Sequence, residues 1–373
     1  MNQSLLNMKI FALLIGLAAI TLEVYSAVSQ PQCDYKNDQR SYHCKFVKNV
    51  FPRIFYGNYH LQCENCDIKI FSQQTFTYEN SLISLNVSNS GVESVSSKAF
   101  SIFGNVQYIY LQNNKITSIS RNAFAGLRQL FQLHLDNNHM AKLNPGFVND
   151  VEVNSIILSH NVIRELPGNA FEGVLTLLTL NLDNNYIKTV HANAFAGLES
   201  LEYLELQNNR LCHLPLGLFK DLNNLRLLNL ADNKLTRFSL GTFSGLRELN
   251  ALILANNSIK EFDGTDLLPL LHLTKLDLSG NDIYYLDSNG IYSNAPSIRF
   301  LHIEDNIFSC QLLVNVIQYF KGKGVEIVTN RGRYHLQNVN GVACIESAVT
   351  NSIPFDFFLT KVQEESKNQI NVC

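Results

Sequence analysis

Eight cysteines, at positions 33, 44, 63, 66, 212, 310, 344 and 373, carry the most reactive side chains in the sequence. In an oxidising compartment an even number of thiols reads as a disulfide framework, whereas in a reducing one the Cys63-x-x-Cys66 spacing would suit a redox or metal centre. Cys33, Cys44, Cys63 and Cys66 crowd towards one end and Cys310 and Cys344 towards the other. That distribution suits two caps. Two disulfides are expected among the first four cysteines, in any of three pairings, and a Cys310–Cys344 clamp at the far end. Cys212 and Cys373 are left over. The expectation is that one or both form interchain bonds. The alternative is an intrachain Cys212–Cys373 bridge, since 28 residues lie between Cys344 and Cys373 and can reach tens of ångströms.

The remaining chemistry is sparse. No G-x-S-x-G, H-E-x-x-H, phosphate loop or dinucleotide fingerprint occurs. His134, Asp136, His160 and Asp183 could be drawn together as a metal site, but such sets arise easily on a polar face, so no metal, cofactor or catalytic activity is expected. A formal net charge of −3 gives no basic excess for nucleic acid. Two sequons, Asn86-Val-Ser and Asn256-Asn-Ser, are expected to carry N-linked glycans.

The elements that must position these residues repeat. Ile109-x-Leu111-x-x-Asn114-x-Ile116 returns as Leu133, Leu135, Asn138, Met140, then as Leu180, Leu182, Asn185, Ile187, and onward to Leu276, Leu278, Asn281, Ile283. The asparagine slot advances through 90, 114, 138, 161, 185, 209, 233, 257, 281 and 306, with Ser at 90, in steps of 23 to 25 residues. That period falls in the leucine-rich-repeat range. With an earlier copy at Leu61, in which Cys66 takes the slot, about eleven repeats run from about 56 to 310. Two leucines separated by one residue point inward from a short strand, and the asparagine amide can satisfy backbone groups of neighbouring coils. Ten residues after most slots stands a phenylalanine: Phe76, Phe100, Phe124, Phe171, Phe195, Phe219 and Phe243, with Phe147 one residue early. These rings should stack as a spine, replaced by Leu267 and Ile291 in less regular final repeats.

The expected fold is therefore an α/β leucine-rich-repeat solenoid, a horseshoe with a parallel concave sheet and a disulfide cap at each end. Residues 1–29 read as a signal peptide, with Lys9 before an apolar run from Ile10 to Ile20. Residues 30–60 form the N-terminal cap, 61–309 the repeats, 310–346 the C-terminal cap and 347–373 a polar tail. In the second cap Leu312, Leu313, Val316, Ile317 and Phe320 describe an amphipathic helix ending at Gly322, followed by a strand over 325–328. No further apolar run of spanning length occurs, so the chain is expected to be secreted and extracellular.

Residues between the inward leucines line the concave face. Its densest mixture of aromatics and charge is Tyr108, Tyr110, His134, Asp136, Asp183, Tyr203 and Glu205, the candidate ligand-binding set. A glycan on Asn86 would block the N-terminal part of that face.

Signal, cysteine cap, repeats and second cap together resemble an extracellular leucine-rich-repeat protein, and "NAFAGL" at 122–127 and 193–198 is similar to the subclass of Toll-type ectodomains and Slit-like proteins. Asn306-Ile-Phe-Ser-Cys310-Gln-Leu-Leu resembles the single-cysteine cap of the mosquito leucine-rich immune proteins, here in a short form without the long coiled coil. The resemblance implies an innate-immune binding protein. Its partner would be a complement-like thioester protein or another leucine-rich-repeat chain, and a disulfide-linked dimer would follow from Cys373 or Cys212. The alternative is a matrix, adhesion or signalling-ligand binding protein in development.

Overall fold

The leucines and asparagines of each repeat organise a single curved sheet. The computed structural model describes residues 32–52, 59–77, 81–268, 270–328 and 338–345. The expected signal peptide and the tail from 346 onward, with Cys373, lie outside the described residues.

Among the described residues, fourteen strands form the concave sheet. It opens with an antiparallel hairpin, Gln32–Lys36 against Ser41–Lys45, and is parallel from there to its last strand, Glu326–Val328. Successive strands pair with like positions in register, Leu180 opposite Leu204 and Leu204 opposite Leu228. The sheet thus outruns the repeats at both ends. Residues assigned to the N-terminal cap supply the strand 41–45, which pairs with 60–64, and the C-terminal cap supplies the strand 326–328. A cap that donates a strand covers the backbone edge as well as the apolar core.

The paired leucines are buried as their alternation demands: Leu180, Leu182, Leu204, Leu206, Leu228 and Leu230 are all inaccessible to solvent. The asparagine ladder has the expected bonds. Asn209 Nδ2 donates to the carbonyl oxygens of Leu182 (3.0 Å) and Leu206 (3.0 Å), and its Oδ1 accepts from the amide of Ile187 at 2.9 Å. The same set recurs from Asn114 to Asn306. What the repeat pattern did not reveal is the residue just before each ladder position. Asn113, Asn137, His160, Asn184, Asn208, Asp232, Asn256 and Asp305 all have φ between 51° and 56°, and Gly280 holds the same place. This left-handed residue swings the following asparagine inward, and Asn, Asp and Gly tolerate it best.

The phenylalanine spine is buried throughout, and Phe51 extends it by one ring, stacking on Phe76 at 4.3 Å. Phe171, Phe195, Phe219 and Phe243 lie nearly parallel, 6.3 to 6.5 Å apart. Phe147, from the 23-residue repeat, instead meets Phe171 edge-on at 64°, because the missing residue rotates the ring out of the stack. Further on, a short 3-10 turn at Gly264–Leu267 and a helix at Ser288–Asn294 replace the aromatic turns, burying Leu267 and Ile291.

Among the described residues, two disulfides resolve the N-terminal pairings left open by the sequence, and a third forms the expected C-terminal clamp. Cys33 bonds Cys44 across the first hairpin, Cys63 bonds Cys66 within the first repeat, and Cys310 bonds Cys344. The helix Cys310–Gly322 buries Leu313, Val316, Ile317 and Phe320 over the last coil, with Ser309 capping its N-terminus through the amide of Leu312. Among the described residues, no helix is long and apolar enough to cross a membrane.

Candidate functional site

The concave strands hold the predicted residues in two groups rather than one. The first lies on adjacent strands 108–110 and 130–134. Tyr110 and His134 face one another in register, with ring centroids 4.9 Å apart. His134 Nδ1 stands 3.6 Å from Asp136 Oδ1, and Asn137 Nδ2 donates to Asp136 Oδ2 at 2.9 Å. Burial raises the Asp136 carboxyl, but the adjacent His134 ring and the hydrogen bond from Asn137 outweigh it and hold the group below its ordinary value. Tyr108 packs edge-on against Phe131 at 5.8 Å.

The second group comes from strands 179–181 and 203–205. Asp183 Oδ2 accepts from Gln207 Nε2 at 3.0 Å, linking adjacent coils. Glu205 is half-buried, and burial raises its carboxyl. Nearby Asp183 adds to the rise, which hydrogen bonds from Asn229 and Gln207 only partly offset. Tyr203, 41% exposed, is the most accessible of the seven. It opens onto a groove of about 850 Å³ lined also by Arg226, Asn250, His272, Thr274 and Arg299, along the edge where the chain enters the strands.

Between the groups runs the strand 153–157, which presents Ser155 and Ile157, followed by the buried Ser159. The side chains of Asp136 and Asp183 are therefore two coils apart, about 10 Å at the usual strand spacing. His160 is exposed at a left-handed turn and takes no part. Among the described residues, no group of three or more His, Cys, Asp or Glu side chains is arranged to hold a metal ion.

A third group was missed. His302 Nδ1 lies 3.7 Å from Glu304 Oε1, repeating the His134–Asp136 arrangement seven coils later, beside exposed Phe300. The signal was available, since both pairs occupy the fourth and second positions before a ladder asparagine.

The concave face shares one electrostatic character. Over the strands from 84–86 to 300–302, Asp136, Asp183, Glu205, Asp277 and Glu304 line it, against Lys275 as the lysine among the same columns. One buried oxygen on each of several side chains accepts no hydrogen bond: Gln112 Oε1, Asp136 Oδ1, Asp183 Oδ1, Glu205 Oε2, Gln207 Oε1 and Glu304 Oε2. Such atoms favour a ligand that brings N–H or O–H groups.

The glycosylation candidates sit differently. Asn86 is half-buried on the concave strand 84–86, its Oδ1 accepting from the amide of Ser88 at 3.0 Å. Asn256 is an exposed left-handed turn residue whose Nδ2 donates to Asp232 Oδ1 at 3.0 Å. Cys212, left over from the caps, is half-buried and disulfide-bonded.

Comparison with known proteins agrees with this architecture. The family model "Leucine rich repeat" matches residues 80–140, 152–211, 204–259 and 241–283, more than half of the chain. No curated protein matches the chain in a sequence comparison. Among solved structures, the chain is similar to TLR13 in its complex with ssRNA13, with a TM-score of 0.62 and 25% identity over 69% of this chain and 39% of that one. It is similar also to the Toll–Spatzle complex of Drosophila, with a TM-score of 0.54 and 20% identity over 68% and 39% of the two chains. A third likeness is to the octameric complex of Latrophilin 3, Unc5D and FLRT2 (LRR), with a TM-score of 0.64 and 22% identity over 84% and 96%. The chain thus spans about two fifths of the TLR13 and Toll chains it matches.

Proposed function

Because the chain belongs to the leucine-rich-repeat family, we propose that it is a secreted binding protein, not an enzyme, whose concave face docks a protein partner in innate immunity. The observation that carries this reading is the run of partnerless acceptor oxygens on the concave strands, set beside Tyr110, His134 and exposed Tyr203. Aromatic side chains with a polar tip contribute apolar contact and a hydrogen bond together, as binding hot spots do.

The neighbours narrow the partner class by contrast. TLR13 is described in complex with ssRNA and Toll in complex with Spatzle. Over the strands from 84–86 to 300–302 a polyanion meets five carboxylates and one lysine in these columns, a repulsive balance for nucleic acid. A protein partner fits better, and a complement-like thioester protein is the specific candidate that the C-terminal cap suggests. A second reading, adhesion or signalling-ligand binding, is favoured by one observation: the FLRT2 complex contributes a chain matched over 96% of its own length.

Affinity capture from body fluid with the intact chain, followed by mass spectrometry, separates the two. A thioester protein lost from a Tyr110→Ala/Tyr203→Ala double variant supports the first reading. Matrix or cell-surface proteins lost in the same way support the second. Capture unchanged by the double variant would move binding off the concave face.

A further inference from the structure

Along the second half of the repeats, the edge where the chain enters the strands carries charge opposite to that of the concave columns. The groove beside Tyr203 runs along this edge as far as Arg299. Its floor is low because the residues there are short: Asn250, Ala251 and Thr274. Longer side chains rise at either end, Tyr203 and Arg226 at one and Arg299, beside Pro296, at the other. A second hollow of about 570 Å³ continues past Glu248 and His272 to Lys220 and Arg247. Together the two are lined by four cations, Lys220, Arg226, Arg247 and Arg299, against one carboxylate, Glu248. That carboxylate faces His272, whose Nδ1 lies 3.4 Å from its Oε2.

The two arginines that flank the floor are available to a ligand. Arg299 is exposed and makes no ion pair or side-chain hydrogen bond with a described residue. Arg226 turns its Nε towards Glu202 Oε2 at 3.7 Å, with 61% of the side chain exposed. Its terminal nitrogens donate to no described residue. Between the arginines, Thr274 Oγ1 donates to Asn250 Oδ1 at 2.9 Å, which orients the amide. The Asn250 Nδ2 protons go to no described residue.

We propose that this groove seats an extended acidic segment of a protein partner, with one carboxylate on Arg226 and a second on Arg299. The spacing sets the motif. Arg226 and Arg299 stand three coils apart, about 14 Å at the usual strand separation. An extended peptide advances about 3.4 Å per residue, so side chains four residues apart share a face and lie about 14 Å apart. Acidic residues in the pattern acid-x-x-x-acid therefore reach both guanidinium groups. Each is a planar fork that pairs with a carboxylate through two N–H bonds. The peptide backbone between them crosses Asn250, whose Nδ2 supplies a donor for a carbonyl oxygen. A dense polyanion such as a sulfated glycan fits less well, because Glu202 and Glu248 stand among the cations. Under the protein-binding reading on which this rests, the partner presents donors to the concave strands and an acidic segment to their edge.

The test is fluorescence anisotropy with the full chain and a labelled nonapeptide, glutamate at its third and seventh positions and serine elsewhere. Binding is expected at low ionic strength and should weaken as sodium chloride is added. Arg226→Ala and Arg299→Ala, both at exposed positions, should each lower the affinity about tenfold or more through loss of one charge-assisted pair. A peptide with its glutamates two residues apart, or with glutamines in their place, should lose about as much. Equal binding of either control peptide overturns the proposal. So does no binding of the first peptide, or heparin held by the same arginines in its place. Tyr110→Ala separates this site from the concave face. Peptide binding lost with Tyr110 and kept without the arginines overturns the groove assignment and leaves the concave reading standing. If instead the whole partner is captured without regard to Tyr110 while the peptide needs both arginines, the concave reading fails and the groove stands.

Discussion

At the scale of single residues, two kinds of buried polar group behave in opposite ways. The ladder asparagines are fully bonded, so deleting one strands partners on two coils. Asn209→Ala leaves Leu182 O, Leu206 O and Ile187 N without their side-chain partner. The expected loss is about 1–3 kcal/mol, read from the urea midpoint. The concave carboxylates are less evenly served, and their pH dependence reports it. Native Glu205 holds its proton more tightly than the unfolded chain does, since its carboxyl is raised by burial. Its ionisation therefore costs stability as pH rises from about 4.3, the ordinary glutamate value, through the raised one. Glu205→Gln should be more stable than the parent at pH 7, with the difference closing near pH 4. Asp136 has the reverse sign. Its carboxyl is lowered by His134 and Asn137, so it contributes stability at neutral pH that is lost as pH falls below about 3.9, through the depressed value. Asp136→Asn should be destabilised at pH 7 and progressively less so in acid. Urea titrations at three pH values check both, and shifts of the same sign in the two variants would contradict the assignment.

At the scale of the element, the repeat was legible because each of its positions answers to a local rule. Alternation buries Leu204 and Leu206, and the ladder asparagine follows at a fixed distance. The turns were read less completely. The doublets Asn113-Asn114, Asn137-Asn138, Asn184-Asn185 and Asn208-Asn209 were visible, but only the second asparagine was given a role. The first supplies the left-handed backbone. The edge-on contact of Phe147 could not be read either, since a one-residue deletion shows in the spacing while the ring's rotation depends on its neighbours. Glycines in the turns differ by what lies above them. Gly245 has φ 104°, and a Cβ there would sit 2.3 Å from Phe219 O and 2.7 Å from Lys220 Cα. Gly197 has φ 79° with nothing within 4 Å. Gly245→Ala should therefore force adjacent coils apart and lower the melting temperature sharply. Gly197→Asn, a residue that accepts positive φ, should cost about 1 kcal/mol or less. Equal melting temperatures for the two variants would show that the coils can separate without penalty.

At the scale of the whole molecule, the candidate site was only partly legible because a column of positions does not say which side chains meet. Tyr110 and His134 come together, as do Asp183 and Gln207, but Ser155, Ile157 and Ser159 separate the two groups. Cap disulfides raise the same difficulty: four clustered cysteines allow three pairings, and only the hairpin geometry selects Cys33 with Cys44. These caps matter because each coil rests on its neighbours alone, so unfolding starts from an end. The Cys310–Cys344 bond closes a segment with a sequence separation of 34, worth about 3–4 kcal/mol by loop entropy. It holds the helix Cys310–Gly322 over Phe308 and the last concave strands. Cys310→Ser/Cys344→Ser should loosen that helix first. Hydrogen exchange should then show protection lost across 326–328 and 300–302, decaying inward and leaving 153–157 and 179–181 near their parent rates. The outcome depends on how far strain travels along a stack of nearest-neighbour interfaces. Loss of protection that is uniform from the hairpin at 32–45 to the strand at 326–328 would mean that the coils melt as one cooperative body, and that the caps seal an already indivisible structure instead of guarding its ends.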